Sequence, residues 1–290
     1  MYHRIARRAI DPLRMSVSPE NFADQVAAIR LVADVVPPGS ILLPGSRPRV
    51  ALTFDDGYAD NLHHAVPVLA ASDTPACIFA TNHFEPVAPE FWWDQLDHLF
   101  LCGEVDVPFV DLLLDVGSVR FDVRTEAGRI RTFSRLNVVF RNLPAAERQA
   151  HVDALHHQLG RTPVRCGAHL RLTAMELAEL DGGGLIEIGG HTVTHAALPL
   201  VDPHTAGTEI ADNRRALAAI CGRSPQLFAY PYGYHVRRTT AEVRAAGYDM
   251  AFGARSGTIG MVNNPYRVPR FAVSDCSAGE LTEQLLEVLG

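Results

Sequence analysis

The sequence predicts an α/β fold built on parallel strands, and three features point to it. Seven short apolar runs punctuate the chain, at Tyr2–Ile5, Val50–Phe54, Ala76–Thr81, Leu185–Ile188, Leu227–Tyr230, Met250–Phe252 and Arg267–Val273. They are near-continuous and not alternating, as expected of strands buried on both faces. Segments with helical spacing lie between them, which favours a parallel barrel or an open wound sheet; periodicity alone does not separate the two. Finally, residues able to do chemistry stand just past the ends of two of these runs, on the rim where α/β folds build their sites.

The helices carry readable punctuation. Ser18-Pro19 supplies a cap and a proline for the first helical position, followed by an apolar stripe of Phe22, Val26 and Ile29. Thr173-x-x-Glu176 has the spacing of a capping box, and the helix it opens runs into Gly182-Gly183-Gly184. A further helix is expected over Thr208–Cys221, with Ile210, Leu217 and Ile220 inward. Residues 99–170 break the rhythm. There Leu112–Leu114, Val119–Phe121 and Arg129–Phe133 suggest a small hairpin, followed by a helix over Ala145–Leu159. With no linker to isolate it, this stretch reads as a rim insertion after the third strand of a single domain spanning 1–290.

Composition narrows the classes of function. A chain of 290 residues, 47% apolar, can bury one large core. A net charge of −7 argues against nucleic acid or an anionic membrane as the main partner. The five cysteines, Cys77, Cys102, Cys166, Cys221 and Cys276, are odd in number and widely spaced, so they support neither a disulfide framework nor a zinc ribbon. Their usage suits a reducing compartment. The start Met1-Tyr2-His3-Arg4 lacks the apolar stretch of a signal peptide, and no run reaches a membrane-spanning length. The expectation is a cytoplasmic protein.

Two segments carry the chemistry. Ala51–Tyr58 is a short apolar strand ending in Asp55, Asp56 and Gly57. Leu185–Ile188 opens through Gly189-Gly190 into His191 and His195, four residues apart and so on one face of a helical turn. Alone, the first would be an ordinary turn and the second a pair of surface or core histidines. Together, at two strand ends, they supply one carboxylate and two imidazoles for a divalent ion. The other carboxylate of the pair is then a general base for water.

Thr53-Phe54-Asp55-Asp56-Gly57, His191-Thr192-Val193-Thr194-His195 and Phe228-Ala229-Tyr230-Pro231-Tyr232-Gly233 resemble, in order, the three motifs of the polysaccharide deacetylase family (NodB-homology, carbohydrate esterase family 4). The likeness extends to Met1–Ile5, Phe91–Asp94 and Val268–Phe271, hence over essentially the whole chain. It implies a distorted (β/α)7 barrel and removal of an N-acetyl group from an amino sugar or an amino-sugar-containing glycan. It further implies that Asp56, His191 and His195 hold the metal, that Asp55 is the base, and that the backbone N–H of Tyr232 helps bind the oxyanion. Zinc is the expected ion, with cobalt, nickel or iron compatible with the same ligands.

The chain departs from the family pattern twice. Ala229 stands where many members carry an arginine that orients the base; Arg270, at the end of the last apolar run, is its candidate substitute or else a structural ion pair. No histidine follows His235, so the usual C-terminal catalytic acid is missing. The N-terminal Tyr-His segment resembles a circularly permuted branch in which the first strand provides that acid, here His3. His83 is a candidate substrate contact, and Trp92, Trp93 and Asp94 either stack on sugar or pack internally. His63, His64, His156 and His157 read as surface residues. Two other functions stay open: a related C–N hydrolase such as a deformylase or cyclic imide or ureide hydrolase, and a carbohydrate-binding relic without turnover.

Overall fold

Short parallel strands with helices between them make up most of the computed structural model, which describes residues 1–82, 84, 90–103, 105–163, 166–259 and 264–289. In chain order the strands are β1 (Arg4–Ile5), β2 (Ser16–Val17), β3 (Asp34–Val35), β4 (Arg49–Val50), β5 (Leu52–Phe54) and β6 (Ala76–Ala80). They continue as β7 (Phe109–Leu114), β8 (Gly117–Asp122), β9 (Ile186–Gly190), β10 (Leu227–Ala229) and β11 (Met250–Phe252). The α-helices are α1 (Pro19–Val32), α2 (Val66–Ala71), α3 (Trp92–Phe100), α4 (Glu126–Phe140) and α5 (Ala145–Gln158). After them come α6 (Ala174–Gly182), α7 (Pro203–Cys221), α8 (Arg237–Ala245) and α9 (Ala278–Leu289).

The chain divides into two compact units, one of Met1–Ala9, Arg14–Ala88 and Arg171–Gly290, the other of Ile10–Leu13 and Pro89–Leu170. In the first, β11, β10, β9, β6 and β5 form a parallel sheet in that order. Backbone hydrogen bonds carry each edge further. Tyr2 bridges Phe54 and donates to the Thr53 carbonyl at 2.8 Å. At the other edge Val268 bridges Phe252, and Val273 N–H then donates to the Met1 carbonyl at 3.0 Å. The sheet therefore curls until its two flanking segments meet.

The sheet packs as the apolar runs require. Tyr2, Phe22 and Phe54, all buried, meet in edge and stacked contacts with ring centroids 5.2–5.8 Å apart. Each fully buried ring of this size contributes about 1.5–3 kcal/mol through apolar area alone. Helix α1 starts at Pro19 after an extended Ser18, and buries Phe22, Val26 and Ile29 as its stripe demands. Thr173 and Glu176 form the capping box of α6.

Four segments differ from the sequence expectation. Arg267–Val273 forms a bridge at Val268 and not a strand, because Pro269 has no N–H to continue a ladder. Val50–Phe54 divides at Ala51: β4 pairs with β3, while β5 joins the main sheet. The helix expected over Thr208–Cys221 begins at Pro203, where Asp202 accepts from Thr205 N–H and proline fills the first turn. Arg129–Phe133 lies inside α4, not in a hairpin; Thr125 caps that helix by accepting from Gly128 N–H.

In the second unit β7 and β8 form an antiparallel hairpin, Phe109 opposite Asp122 and Leu114 opposite Gly117. Phe91 stacks on Trp93 at 4.3 Å, and Trp92 meets Trp93 edge-on at 5.3 Å and Phe140 at 6.0 Å. Both tryptophans are buried, so they pack this unit's own core and do not present a sugar-stacking face. His156, expected at the surface, is also buried: its Nδ1 lies 3.1 Å from the Arg161 carbonyl. Helical spacing from Val152 and Leu155, both fully buried, turns it inward, whereas His157 is exposed.

Candidate active site

Strand β5 ends in Asp55 and Asp56, and the chain leaves it through two left-handed residues, Asp56 (φ 72°) and Gly57 (φ 71°). A Cβ on Gly57 would lie 3.3 Å from the Ala80 Cβ, so glycine meets a conformational and a spatial need together. Strand β9 ends at Gly190, where a Cβ would run into the Tyr248 hydroxyl and lie 2.7 Å from Asn213 Oδ1. That close approach lets Asn213 reach the backbone of the next residue, His191. Four non-glycine residues with positive φ, Asp56, Thr192, His195 and Tyr232, fall within the three motifs. Such conformations cost on the order of 1–3 kcal/mol each and persist where surrounding contacts over-determine them.

These turns bring Asp56, His191 and His195 together. One ligand atom from each lies within 4.8 Å of the others, and all three residues are buried. Asp56 Oδ1 stands 3.5 Å from His191 Nε2 and 3.3 Å from His195 Nε2. It has no hydrogen-bond donor of normal geometry among the described residues despite its burial. His191 Nδ1 lies 2.7 Å from the Ala229 carbonyl; donating there fixes the tautomer that leaves Nε2 with its lone pair toward Asp56. An under-satisfied buried carboxylate oxygen facing two imidazole nitrogens fits a divalent ion with two nitrogen ligands and one oxygen. Burial would raise the Asp56 carboxyl, but the nearby His191 and His195 imidazoles, when protonated, drive it well below the ordinary carboxylate range. Burial likewise opposes protonation of His191, yet Asp56 and then Asp55 raise it above the usual histidine value.

Asp55 has a different environment. Arg270 donates to both its oxygens, Nη1 to Oδ1 at 2.6 Å and Nη2 to Oδ2 at 2.7 Å, with both residues buried. The guanidinium is itself held by Nε donation to the Gly253 carbonyl at 2.7 Å and by Thr53 Oγ1 at 3.3 Å. Burial alone would raise the Asp55 carboxyl; Arg270, with His191, overcomes it and keeps the carboxyl below its ordinary value. Arg270, 215 residues away in sequence, is therefore the cation that holds Asp55.

His3 is half-buried, and the carbonyl of the preceding residue, Tyr2, accepts from Asp55 N–H at 3.0 Å, so the first strand runs beside the turn that carries the two carboxylates. The Tyr232 ring packs edge-on against His195 at 4.5 Å, and Tyr234 follows at 5.7 Å from Tyr232. His235 stacks on Tyr230 at 5.0 Å with Nδ1 3.0 Å from the Gly233 carbonyl. His63 and His64 are exposed, and His83 lies outside the described residues.

Two residues of α7 escaped the sequence reading. Glu209 Oε2 accepts from Val193 N–H at 2.9 Å and Thr194 N–H at 2.8 Å, and Oε1 accepts from the Thr194 hydroxyl at 2.7 Å. Asn213 Oδ1 accepts from His191 N–H at 3.0 Å, while its Nδ2 donates to the Ala80 carbonyl and to Asn82. Together they fix the backbone on which both imidazoles stand. The available signal was two polar residues four apart on the same inward face as Ile210 and Leu217.

Comparison with known proteins bears on what this arrangement does. The polysaccharide deacetylase family profile matches residues 43–105 and 148–251, more than half of the chain. No curated protein matches the chain in sequence. Among solved structures, the deacetylase PplD of Streptococcus pyogenes, in complex with acetate, is 17% identical with a TM-score of 0.61, over 100% of this chain and 96% of that one. IcaB from Ammonifex degensii is 19% identical with a TM-score of 0.60, over 97% and 93%. A polysaccharide deacetylase from Bacillus cereus is 18% identical with a TM-score of 0.59, over 100% of this chain and 67% of that one. At these identities the likeness is one of fold.

Proposed function

The chain belongs to the polysaccharide deacetylase family, and on that premise we propose that it is a metal-dependent hydrolase removing an N-acetyl group from an amino sugar or an amino-sugar-containing glycan. The observation that carries this reading is the buried Asp56–His191–His195 cluster beside an Asp55 held ionised by Arg270. We read the ring closed through Tyr2 and Val268 as the family's distorted (β/α)7 barrel, with 99–170 as an insertion in it.

Asp56 Oδ1, His191 Nε2 and His195 Nε2 would hold the ion; zinc, cobalt, nickel and iron all suit that donor set. When bound, it supplies Lewis acidity, making water more acidic and polarising the acyl oxygen. Asp55 needs that help, because a carboxylate held this low by Arg270 is a weak base toward ordinary water. Asp55 takes the proton as the water oxygen bonds to the acyl carbon. The Tyr232 N–H donates to the acyl oxygen as negative charge gathers there. His3 protonates the departing nitrogen, since an amide nitrogen leaves poorly as an anion. The C–N bond then breaks, giving acetate and a free amine. Arg270 keeps the Asp55 carboxylate charged and fixes its plane through two parallel hydrogen bonds.

The test is acetate release from N-acetylglucosamine oligomers by protein reconstituted with zinc or cobalt. Release that is abolished by chelation and restored by metal supports the proposal. Turnover of formylated or cyclic imide substrates alone would move it to the related C–N hydrolases, and binding without turnover would make it a carbohydrate-binding relic.

A further inference from the structure

Strand β1 is held unusually at one edge. On one side it pairs with β2, and Arg4 N–H and Ala6 N–H donate to Met15 and Val17 carbonyls. On the other side, two side chains take the place of a strand. Asp60 Oδ1 accepts from Ile5 N–H at 3.0 Å, and Asn61 Nδ2 donates to the His3 carbonyl at 2.9 Å. In an extended chain the carbonyl of residue 3 and the N–H of residue 5 face the same edge, so the pair mimics one rung of a ladder.

Asp60 is tied in further by Arg4, whose Nε lies 3.2 Å from Oδ2 and whose guanidinium sits 4.7 Å over the Tyr58 ring. Asn61 is fully buried, and its Nδ2 also reaches Asp60 Oδ1 at 3.0 Å. Asn61 opens a π-helical turn, Asn61–Ala65, a distortion that recurs at functional sites. The turn begins five residues beyond Asp56, and Asp55 N–H donates to the Tyr2 carbonyl at 3.0 Å. The residues flanking His3 are thus bolted to the chain that carries both catalytic carboxylates.

We propose that Asp60 and Asn61 are positioning residues that set the register of the first strand and thereby aim the His3 imidazole at the Asp55–Asp56 turn. The inference rests on His3 being the proton donor of the reaction proposed above. Neither residue touches substrate; both act through the His3 backbone. Displacing a reacting group by about 1 Å costs roughly a hundredfold in rate, which sets the size of effect to expect.

The test compares wild type, Asn61→Ala, Asp60→Ala, His3→Ala and the His3→Ala/Asn61→Ala double variant in the zinc-loaded full chain. Asn61→Ala should lower kcat by at least about tenfold with KM within about twofold. The double variant should then be no slower than His3→Ala alone, because the positioned group is already gone. Asp60→Asn, which keeps the acceptor for Ile5 N–H, should recover most of the loss seen in Asp60→Ala. A loss in the double variant equal to the product of the single losses, or wild-type kcat in Asn61→Ala, overturns the proposal. A second readout needs no turnover. The His3 imidazole NMR signals of the metal-free chain should shift or broaden in Asn61→Ala and Asp60→Ala, and unchanged signals in both would also overturn it. Absence of any deacetylation by wild type would sink the functional reading instead, while the NMR comparison still decides the positioning.

Discussion

Replacing Arg270 by methionine tests the linkage between fold and chemistry most sharply. The side chain makes two charge-assisted bonds to Asp55, one to the Gly253 carbonyl and one to Thr53. Truncation leaves a buried carboxylate without its hydrogen-bonded counter-charge, and removing one partner of a buried pair costs about 3–5 kcal/mol. The sign with pH follows from the direction of the shift. In wild type the Asp55 carboxyl is depressed, so the pair stabilises the fold above the unfolded carboxylate pKa of about 3.9 and loses that contribution as pH falls through the folded value. In Arg270→Met burial is unopposed by the guanidinium and the carboxyl rises. The deficit relative to wild type should therefore be largest near neutrality and shrink toward pH 4, where protonation relieves the buried charge. The acid limb of the pH–rate profile should move upward for the same reason. Arg270→Lys should recover part of both effects, because an ammonium restores charge but not the two-pronged geometry. Denaturant unfolding between pH 4 and 8, paired with the rate profile, measures both. Wild-type stability and an unmoved acid limb in Arg270→Met would refute the reasoning.

Other expectations follow from the same geometry. Asp55→Asn should retain metal at wild-type stoichiometry while turnover falls about a hundredfold or more; loss of metal would mean the two aspartates exchange roles. Glu209→Ala strips the acceptor from Val193 N–H, Thr194 N–H and the Thr194 hydroxyl, and should weaken metal binding about 10–100-fold in a chelator competition. Unchanged affinity there would show that α7 does not hold the imidazole loop. His3→Ala should lower turnover while leaving metal content intact; turnover equal to wild type would exclude His3 as the acid.

What the sequence made legible were features with local causes. Asp55, Asp56, His191 and His195 stand at the ends of apolar runs, and strand-end turns place them whatever the rest of the chain does. Arg270 could be nominated but not placed, since its partner lies 215 residues away and only closure of the sheet joins them. Arg129-Ile130-Arg131-Thr132-Phe133 alternates enough to resemble a strand, yet the Thr125 cap and the buried Phe133, Leu136 and Phe140 draw it into a helix. Pro269 interrupts a run that hydropathy alone would extend. Glu209 and Asn213 read as ordinary helix polarity, because their role depends on which loop crosses the helix. His156 shows the same blindness in reverse: a polar residue is buried when its helix turns it inward and a backbone carbonyl receives it.

The most direct measurement is acetate release from N-acetylglucosamine oligomers alongside metal content, for wild type, His191→Ala and His195→Ala. The expected result is one divalent ion per wild-type chain with chelator-sensitive acetate release, and strong loss of both metal and turnover in each histidine variant. Full metal stoichiometry in the variants, or undiminished acetate release from metal-free protein, would contradict the assignment of Asp56, His191 and His195 as the metal centre of a deacetylase.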